Sequence, residues 1–298
     1  MKRIIDDGFL TLLEARDLYI DRPMNGLFGG ERRSRAYGSS LEFADYREYA
    51  EGDDLRRVDW NLWARFEKLF LKLYVDERQL YHRIYIDASA SMKWGEPTKG
   101  ETALKLAAAL AYMAVRANDR VQLSVIRGRE LSALGPAFTG TGGFYTAANK
   151  LNDVKFKGDA EWSQAFLETN DTGRDDGFTI ILSDFLVGGD FRSAINRLLF
   201  RGRRVFLLQI LAPEELDPDM RGRVMLFDSE SGGEEDARNF RTTVTRARIK
   251  AYRQALAAHQ KELLDYCAAR GVGFFSVSSD ERVEKILFDK ATEERLIK

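Results

Sequence analysis

Short apolar runs alternate with helical patterns throughout the chain after residue 82. The runs are continuous or nearly so, as expected of strands that are buried on both faces of a parallel sheet. The predicted strands are residues 83–86, 121–126, 178–182, 205–210 and 274–277. The predicted helices are residues 101–117, 144–151, 191–200 and 247–269. This alternation predicts an α/β fold with a doubly wound, mostly parallel sheet that is covered by helices on both faces.

The segment before this alternation has a different character. Residues 9–18 carry apolar side chains at helical spacing, residues 26–38 are rich in glycine and arginine, and residues 42–65 are dense in Asp, Arg, Trp and Tyr. We therefore predict that residues 1–79 form an N-terminal helix and a docking segment, and that residues 80–298 form the α/β domain.

A second departure from the strand and helix alternation lies between the last two predicted strands. Residues 223–227 read as a strand, and a second strand is expected after Ser231-Gly232-Gly233, where glycine favours a turn. We predict a β-hairpin inserted near residues 222–242.

Two acidic residues occur where predicted strands end. Asp87 follows the first strand, and Asp184 follows the strand at residues 178–182. Because ligands of an open parallel sheet gather at the carboxyl ends of its strands, we expect both acids at one edge. Ser89 and Ser91 alternate with Asp87, so an extended turn can direct three oxygens toward one centre.

These oxygens predict a site for a hard divalent cation. Mg²⁺ is bound by about six oxygens, and Mn²⁺ accepts the same ligand types. The remaining protein ligand is expected from the Thr-Gly stretch at residues 138–143, where we favour Thr141 over Thr139. The predicted metal ligands are therefore Asp87, Ser89, Ser91, Thr141 and Asp184. With few charged ligands, such an ion can also accept a carboxylate from a partner protein.

A structural interpretation of the same turn stays open. Aspartate and serine often cap the following helix or bind the free amides of a turn, without any metal.

The block of Asp, Arg and Trp residues also has two interpretations. Its alternating charges allow local ion pairs, which indicates a salt-bridged structural clasp. Alternatively, Trp60, Trp63 and Arg65 form a partner-binding face, because tryptophan and arginine are enriched among the residues that dominate interfaces.

Two sets of motifs resemble known families. Residues 86–92, Ile-Asp-Ala-Ser-Ala-Ser-Met, are similar to the metal-ion-dependent adhesion site of von Willebrand factor A domains. Residues 42–49, 52–56 and 58–65, together with residues 226–230, resemble the bacterial family numbered fifty-eight among domains of unknown function. The resemblance implies a von Willebrand A-like fold and partnership with MoxR-type AAA+ ATPases, in systems that act as chaperones or insert metal cofactors.

We therefore expect a non-enzymatic, metal-dependent protein-interaction module. Its partner is an AAA+ ATPase of the MoxR type, a protein client that presents an acidic residue, or both. The alternative is a Mg²⁺-dependent phosphohydrolase that uses Asp87, although that chemistry favours a second acid two residues later, where this chain has Ser89. A serine triad is disfavoured because His82 begins the first strand and His259 lies within a predicted helix.

Composition excludes several other classes of function. A formal net charge of −1 provides no general attraction for nucleic acid. The sequence contains no phosphate loop, so ATP hydrolysis is expected in a partner. The longest apolar stretch, residues 106–115, is too short to span a membrane, and no secretory leader is evident. A single cysteine, Cys267, fits a reducing compartment, and we expect a cytoplasmic protein.

Overall fold

The computed structural model divides the chain into two compact units, residues 23–79 and a larger unit that contains residues 1–22 and 80–298. It describes Gly8, Thr11, Leu13 and residues 43–74, 79–168, 177–186, 191–220, 222–226, 240–293 and 296. The predicted boundary at residue 79 coincides with the end of the smaller unit, whereas residues 1–22 are grouped with the larger one. Leu13 is buried in the core of that larger unit. The glycine- and arginine-rich stretch and most of the predicted N-terminal helix lie outside the described residues.

The described residues form ten strands in three sheets. They are β1 (Phe43–Glu48), β2 (Phe70–Tyr74), β3 (Tyr81–Asp87), β4 (Arg120–Arg127), β5 (Glu130–Ala133), β6 (Phe178–Ser183), β7 (Arg204–Leu211), β8 (Gly222–Leu226), β9 (Phe240–Val244) and β10 (Gly273–Ser278). In the smaller unit, β1 and β2 pair antiparallel. In the larger unit, β8 and β9 form a separate antiparallel pair, which confirms the predicted hairpin strands. Their connection, residues 227–239, lies outside the described residues.

The main sheet has six strands in the order β10-β7-β6-β3-β4-β5. All neighbours are parallel except β4 and β5, which run antiparallel. The chain therefore starts in the middle of the sheet at β3, builds outward through β4 and β5, and returns to build the other side from β6. This reversal places a topological switch point between β3 and β6, where the loops that follow the two strands leave in opposite directions.

Helices of the larger unit cover both faces of this sheet. The main helices of that unit are α2 (Lys99–Arg116), α3 (Gly140–Leu151), α4 (Trp162–Glu168), α5 (Phe191–Phe200), α6 (Pro213–Leu216) and α7 (Arg246–Ala268), and the smaller unit contains α1 (Trp60–Phe66). The chain continues after β10 with α8 (Val283–Lys285), a π-helical turn (Ile286–Lys290) and α9 (Ala291–Glu293). No helix in the described part of the chain is long and apolar enough to span a lipid bilayer.

Alternate residues of the central strands enter two different cores. Ile84 and Ile86 of β3 pack in the core that contains α2 and α3, whereas Tyr85 packs in the core that contains α4 and α5. Ile181 likewise faces the second core, between neighbours that face the first. Because successive side chains of a strand point to opposite faces, the sheet is buried on both sides. The predicted doubly wound α/β fold is confirmed.

A buried polar network joins the amino ends of three strands. The backbone N–H of Phe178 donates to His82 Nδ1 at 3.1 Å, so the imidazole carries its proton on Nε2. That Nε2 lies 3.1 Å from Asp119 Oδ2, and Asp119 Oδ1 accepts from the N–H of Leu80 at 3.0 Å. Both side chains are buried. The geometry gives His82 a structural role at the edge opposite to Asp87.

We expect His82→Leu to lower the free energy of unfolding by about 2 to 4 kcal/mol, since it removes the buried acceptor of the Phe178 N–H and the buried partner of Asp119 Oδ2. Urea denaturation measures the change. Asn149→Ala, on the exposed side of α3, is the control and should stay within about 0.5 kcal/mol of the parent chain. Equal stability of the two variants would show that the network is not structural.

Candidate site at the carboxyl edge of the sheet

The Asp87 turn begins where β3 ends at the switch point. Asp87 Oδ1 accepts from the backbone N–H of Ser89 at 2.9 Å, and Oδ2 accepts from Ser183 Oγ at 2.5 Å. The hydroxyls of Ser89 and Ser91 lie 3.1 Å apart. Asp87 and Ser89 are buried, while Ser91 is partly exposed. The turn thus brings three of the predicted oxygen-bearing side chains together.

Asp184 lies at the same edge, directly after β6, as predicted from the strand order. Its Oδ1 accepts from the N–H of Leu186 at 3.1 Å, and its carbonyl oxygen accepts from Gln209 Nε2 at 2.9 Å. Its Oδ2, however, lies 2.6 Å from Lys99 Nζ. The carboxylate is therefore held by an ammonium group.

Lys99 was missed by the sequence analysis. It begins α2, its side chain is 1% exposed, and its Nζ lies 2.6 Å from both Asp184 Oδ2 and Glu215 Oε1. Glu215 is fixed in turn, because its Oε2 accepts from the N–H of Ala212 at 2.8 Å. A cation in the first turn of a helix is opposed by the helix dipole. A lysine at the start of a buried, alanine-rich helix is therefore a sequence signal for a specific acidic partner.

Burial dominates the electrostatics of this edge. It raises the pKa of Asp87 to about 6, with a further increase from the nearby charge of Asp184. The hydrogen bonds from Ser183 and Ser89 oppose that increase. Burial also raises the pKa of Glu215, an increase that Lys99 partly offsets. At Asp87, the effect of removing the carboxylate from water on the pKa is therefore larger than the opposing effect of its hydrogen bonds.

The structure does not bring the predicted loop ligand, Thr141, to the Asp87 turn. Phe138 bridges to Val121 near the amino end of β4, whereas Asp87 pairs with Ile126 near its carboxyl end. Those five residues of strand span about 16 Å, far beyond a metal–oxygen bond. Both Thr141 and the less favoured Thr139 thus lie toward the opposite edge of the sheet.

The physical reason is that β5 was not predicted. It carries the chain back along β4 before α3, so the Thr-Gly stretch meets the amino edge and Gly140 begins the helix. The segment beside the Asp87 turn is instead the connection from α3 to α4. There, Lys157 N–H donates to Ala88 O at 2.9 Å and Ala90 N–H donates to Gly158 O at 2.7 Å. Residues 155–161 of that connection contain no hydroxyl side chain.

The assembled side chains fit a divalent ion poorly. Both oxygens of Asp87 already accept hydrogen bonds, and Asp184 is paired with Lys99. Within the described ranges, no group of three or more His, Cys, Asp or Glu residues is arranged to hold an ion. Of the four predicted ligands at this edge, two are carboxylates that are already engaged, and two are the hydroxyls of Ser89 and Ser91, whereas a hard cation needs about six oxygens.

Two large apolar side chains are exposed beside these buried groups. Trp94 follows the Asp87 turn and is 57% exposed, and Leu186 follows Asp184 and is 39% exposed. The carbonyl oxygen of Trp94 accepts from the N–H of Lys99 at 2.9 Å. The edge thus combines a rigid, charged interior with an apolar surface.

The predicted partner-binding residues lie in α1 of the smaller unit, with Trp60 and Trp63 on one face of the helix. The rings of Trp60 and Trp63 meet edge to face with centroids 6.2 Å apart, and both are about half exposed. Arg65 and Phe66 are exposed as well. Asp59 caps the helix by accepting from the N–H of Asn61 at 2.9 Å.

Charged side chains of the same unit also form local ion pairs. Arg47 lies 2.8 Å from Asp53, and Lys72 lies 3.1 Å from Asp59. The unit therefore contains the ion pairs that the clasp interpretation requires. It also contains the exposed aromatic side chains that partner binding requires.

The strand order, the acid-bearing turns at the switch point and helices on both faces define a von Willebrand A-like α/β protein. A model of the family described as "Protein of unknown function DUF58" matches residues 45–262, and the chain belongs to this family. The chain is 26% identical to the uncharacterized protein Rv1480 of Mycobacterium tuberculosis over 285 residues, which covers 93% of this chain and 87% of the relative. The uncharacterized protein Mb1516 of Mycobacterium bovis matches equally.

Solved structures give weaker similarities. BatB from Bacteroides thetaiotaomicron is 15% identical with a TM-score of 0.44, over 72% of this chain and 98% of that one. The SpRpn10 VWA domain is 12% identical with a TM-score of 0.41, over 72% of this chain and 95% of that one. The fold assignment rests on the observed topology and on the family match.

The raised pKa of Asp87 predicts a pH effect on stability. Between the unfolded value of 3.8 and the folded value of about 6, the folded state binds more protons. The penalty is therefore fully present above about pH 6, decreases as the pH falls from about 6 to about 4, and is nearly absent below that range. As the pH is lowered from 7 to 4, the free energy of unfolding of the parent chain should rise relative to Asp87→Asn by roughly 2 to 3 kcal/mol.

Urea denaturation at several pH values measures this difference. Ser91→Ala is the control, because it removes a neighbouring hydroxyl without removing an ionisable group, and it should follow the pH profile of the parent chain. A constant difference between the parent chain and Asp87→Asn would contradict the assignment of the raised pKa.

Proposed function

We propose that this chain is a non-enzymatic protein-interaction module that acts as an adaptor for a MoxR-type AAA+ ATPase in the cytoplasm. The observation that carries the proposal is the carboxyl edge of the sheet. There, exposed Trp94 and Leu186 follow the two acid-bearing turns, whose backbone is held by a buried hydrogen-bond network. An aromatic side chain on a rigid support is the kind of group that dominates protein interfaces.

The geometry disfavours the phosphohydrolase alternative. An aspartyl nucleophile must reach its substrate, but Asp87 is 0% exposed and both of its oxygens accept hydrogen bonds. His82 is engaged at the opposite edge, and His259 Nε2 lies 2.8 Å from the carbonyl oxygen of Phe185. Incubation with nitrophenyl phosphate and saturating Mg²⁺ should therefore give no turnover.

The class of partner is proposed from the family resemblance, which implies work beside MoxR-type ATPases. The sequence contains no phosphate loop, so ATP hydrolysis belongs to that partner. Capture of an acidic side chain through bound Mg²⁺ or Mn²⁺ was expected from the sequence, but the ligand set does not favour it. We therefore propose that the exposed side chains themselves make the contact.

Trp94→Ala should weaken binding to a purified MoxR-type ATPase from the same genome at least about tenfold, as expected for an aromatic anchor. Biolayer interferometry in the presence of ATP measures the affinity. Phe200→Ala is the matched control, because Phe200 is 94% exposed but ends α5, which leads to the amino end of β7. If Trp94→Ala bound the ATPase as tightly as the parent chain and Phe200→Ala bound it more weakly, the interface would be assigned to the opposite edge of the sheet.

A second substitution separates the two interpretations of the smaller unit. The double variant Trp60→Ala and Trp63→Ala should still fold, with a free energy of unfolding lowered by at most about 2 to 3 kcal/mol, because about half of each ring is already exposed. It should bind the ATPase about tenfold more weakly. Lys68→Ala, which breaks an exposed ion pair with Glu48, is the control and should change neither quantity appreciably. Lost stability with unchanged binding would assign the tryptophans to a structural clasp.

A further inference from the structure

Three carboxyl groups gather in the buried region at the switch point. Asp87 and Asp184 are 0% exposed, and Glu215 is mostly buried beside them. The charge of Asp184 acts on both of the other acids. Like charges that are removed from water repel one another strongly, so such a group requires a compensating cation.

Lys99 supplies that cation from within the chain. Its Nζ lies 2.6 Å from Asp184 Oδ2 and 2.6 Å from Glu215 Oε1. Both distances are those of charge-assisted hydrogen bonds, and two of the three ammonium N–H groups are thereby used. The side chain is 1% exposed, so the charge is fully committed to these partners.

The same contacts link three loops of the carboxyl edge. Lys99 begins the helix that follows the Asp87 turn, Asp184 follows β6, and Glu215 lies in α6 after β7. Joining oxygens from separate loops and cancelling their charge are the two structural effects that a bound divalent ion would have here. The ammonium group already provides both.

We propose that the Lys99 ammonium takes the place of a divalent ion in this chain. The carboxyl edge is then neutralised, and its loops are held, without Mg²⁺ or Mn²⁺. The inference deepens the proposed function. It implies that partner binding needs no divalent ion, and this consequence rests on the proposed function.

The ligand geometry supports this inference independently of the charge. Asp87 already accepts from Ser89 N–H and from the hydroxyl of Ser183, so one acceptor position of each of its oxygens is occupied. The segment beside the turn supplies no hydroxyl, and Thr141 lies toward the opposite edge. A divalent ion at this edge would also meet the positive charge of Lys99.

Mn²⁺ binding to the whole purified chain tests the inference directly. Titration calorimetry and the loss of the electron paramagnetic resonance signal of free Mn²⁺ should show no saturable site in the parent chain at millimolar concentration. The melting temperature should be the same in Mg²⁺ and in EDTA. Saturable binding in the parent chain that Asp87→Asn abolishes would overturn the proposal.

Lys99→Met supplies the complementary test, because it keeps the length of the side chain and removes its charge. This variant releases the Asp184 and Glu215 oxygens that bind Lys99 Nζ, so it should gain a Mn²⁺ site at their position. Mn²⁺ at about one hundred times the dissociation constant should raise its melting temperature by roughly 5 °C or more. Lys105→Met, on the same helix, is the control and should behave like the parent chain. A folded Lys99→Met that binds no Mn²⁺ would contradict the assignment of Lys99 to the place of the ion.

The double variant Lys99→Met and Asp184→Asn keeps the test informative if the single variant Lys99→Met does not fold. It removes one charge of each sign and should fold without gaining a Mn²⁺ site, whereas Mn²⁺ binding to it would count against the proposal.

ATPase binding provides the last comparison. The parent chain should bind a MoxR-type ATPase equally in Mg²⁺-free buffer with EDTA and in excess Mg²⁺, with a non-hydrolysed nucleotide preloaded on the ATPase. Binding that requires added divalent ion at Asp87 would overturn the inference. Absence of binding in every buffer would refute the proposed function alone, since the Mn²⁺ titrations decide the role of Lys99 without a partner.

Discussion

The carboxyl edge of this protein depends on one buried ion pair network, in which Lys99 bridges Asp184 and Glu215. Burying three charges is costly, and the cost is offset only when geometry and additional hydrogen bonds satisfy every group. Here Leu186 N–H and Ala212 N–H bind the remaining carboxylate oxygens. The conformations of three loops are therefore interdependent, and the surface that they present is held in one arrangement.

The amino edge of the same sheet is also connected by a buried polar side chain, although the group is different. A neutral imidazole, His82, joins the backbone of β6 to Asp119, just before β4. Each edge thus has a buried polar side chain that connects neighbouring elements where strand pairing ends. Backbone groups at strand ends lack ladder partners, so polar side chains at these positions limit the loss of hydrogen bonds.

Local patterns were sufficient to predict the central strands and their covering helices, because each is long enough to show its periodicity. The placement of Asp87 and Asp184 at one edge then followed from parallel topology. The position of Thr141 did not, because β5 is only Glu130–Ala133 and reverses the chain without a clear pattern. Lys99 is separated from Asp184 by 85 residues and from Glu215 by 116, so their contact is set by tertiary structure alone.

An internal ammonium and an exchangeable metal ion have different consequences for a binding edge. A metal ion can leave or be replaced, so a site that depends on it responds to ion availability by mass action. Lys99 is covalently part of α2 and is buried, so its charge is present whenever the chain is folded. Under the proposed function, control over partner binding must then act on groups that remain accessible, such as Trp94, or on the nucleotide state of the proposed ATPase partner. The buried network is suited to holding the edge in place and the exposed side chains to recognition.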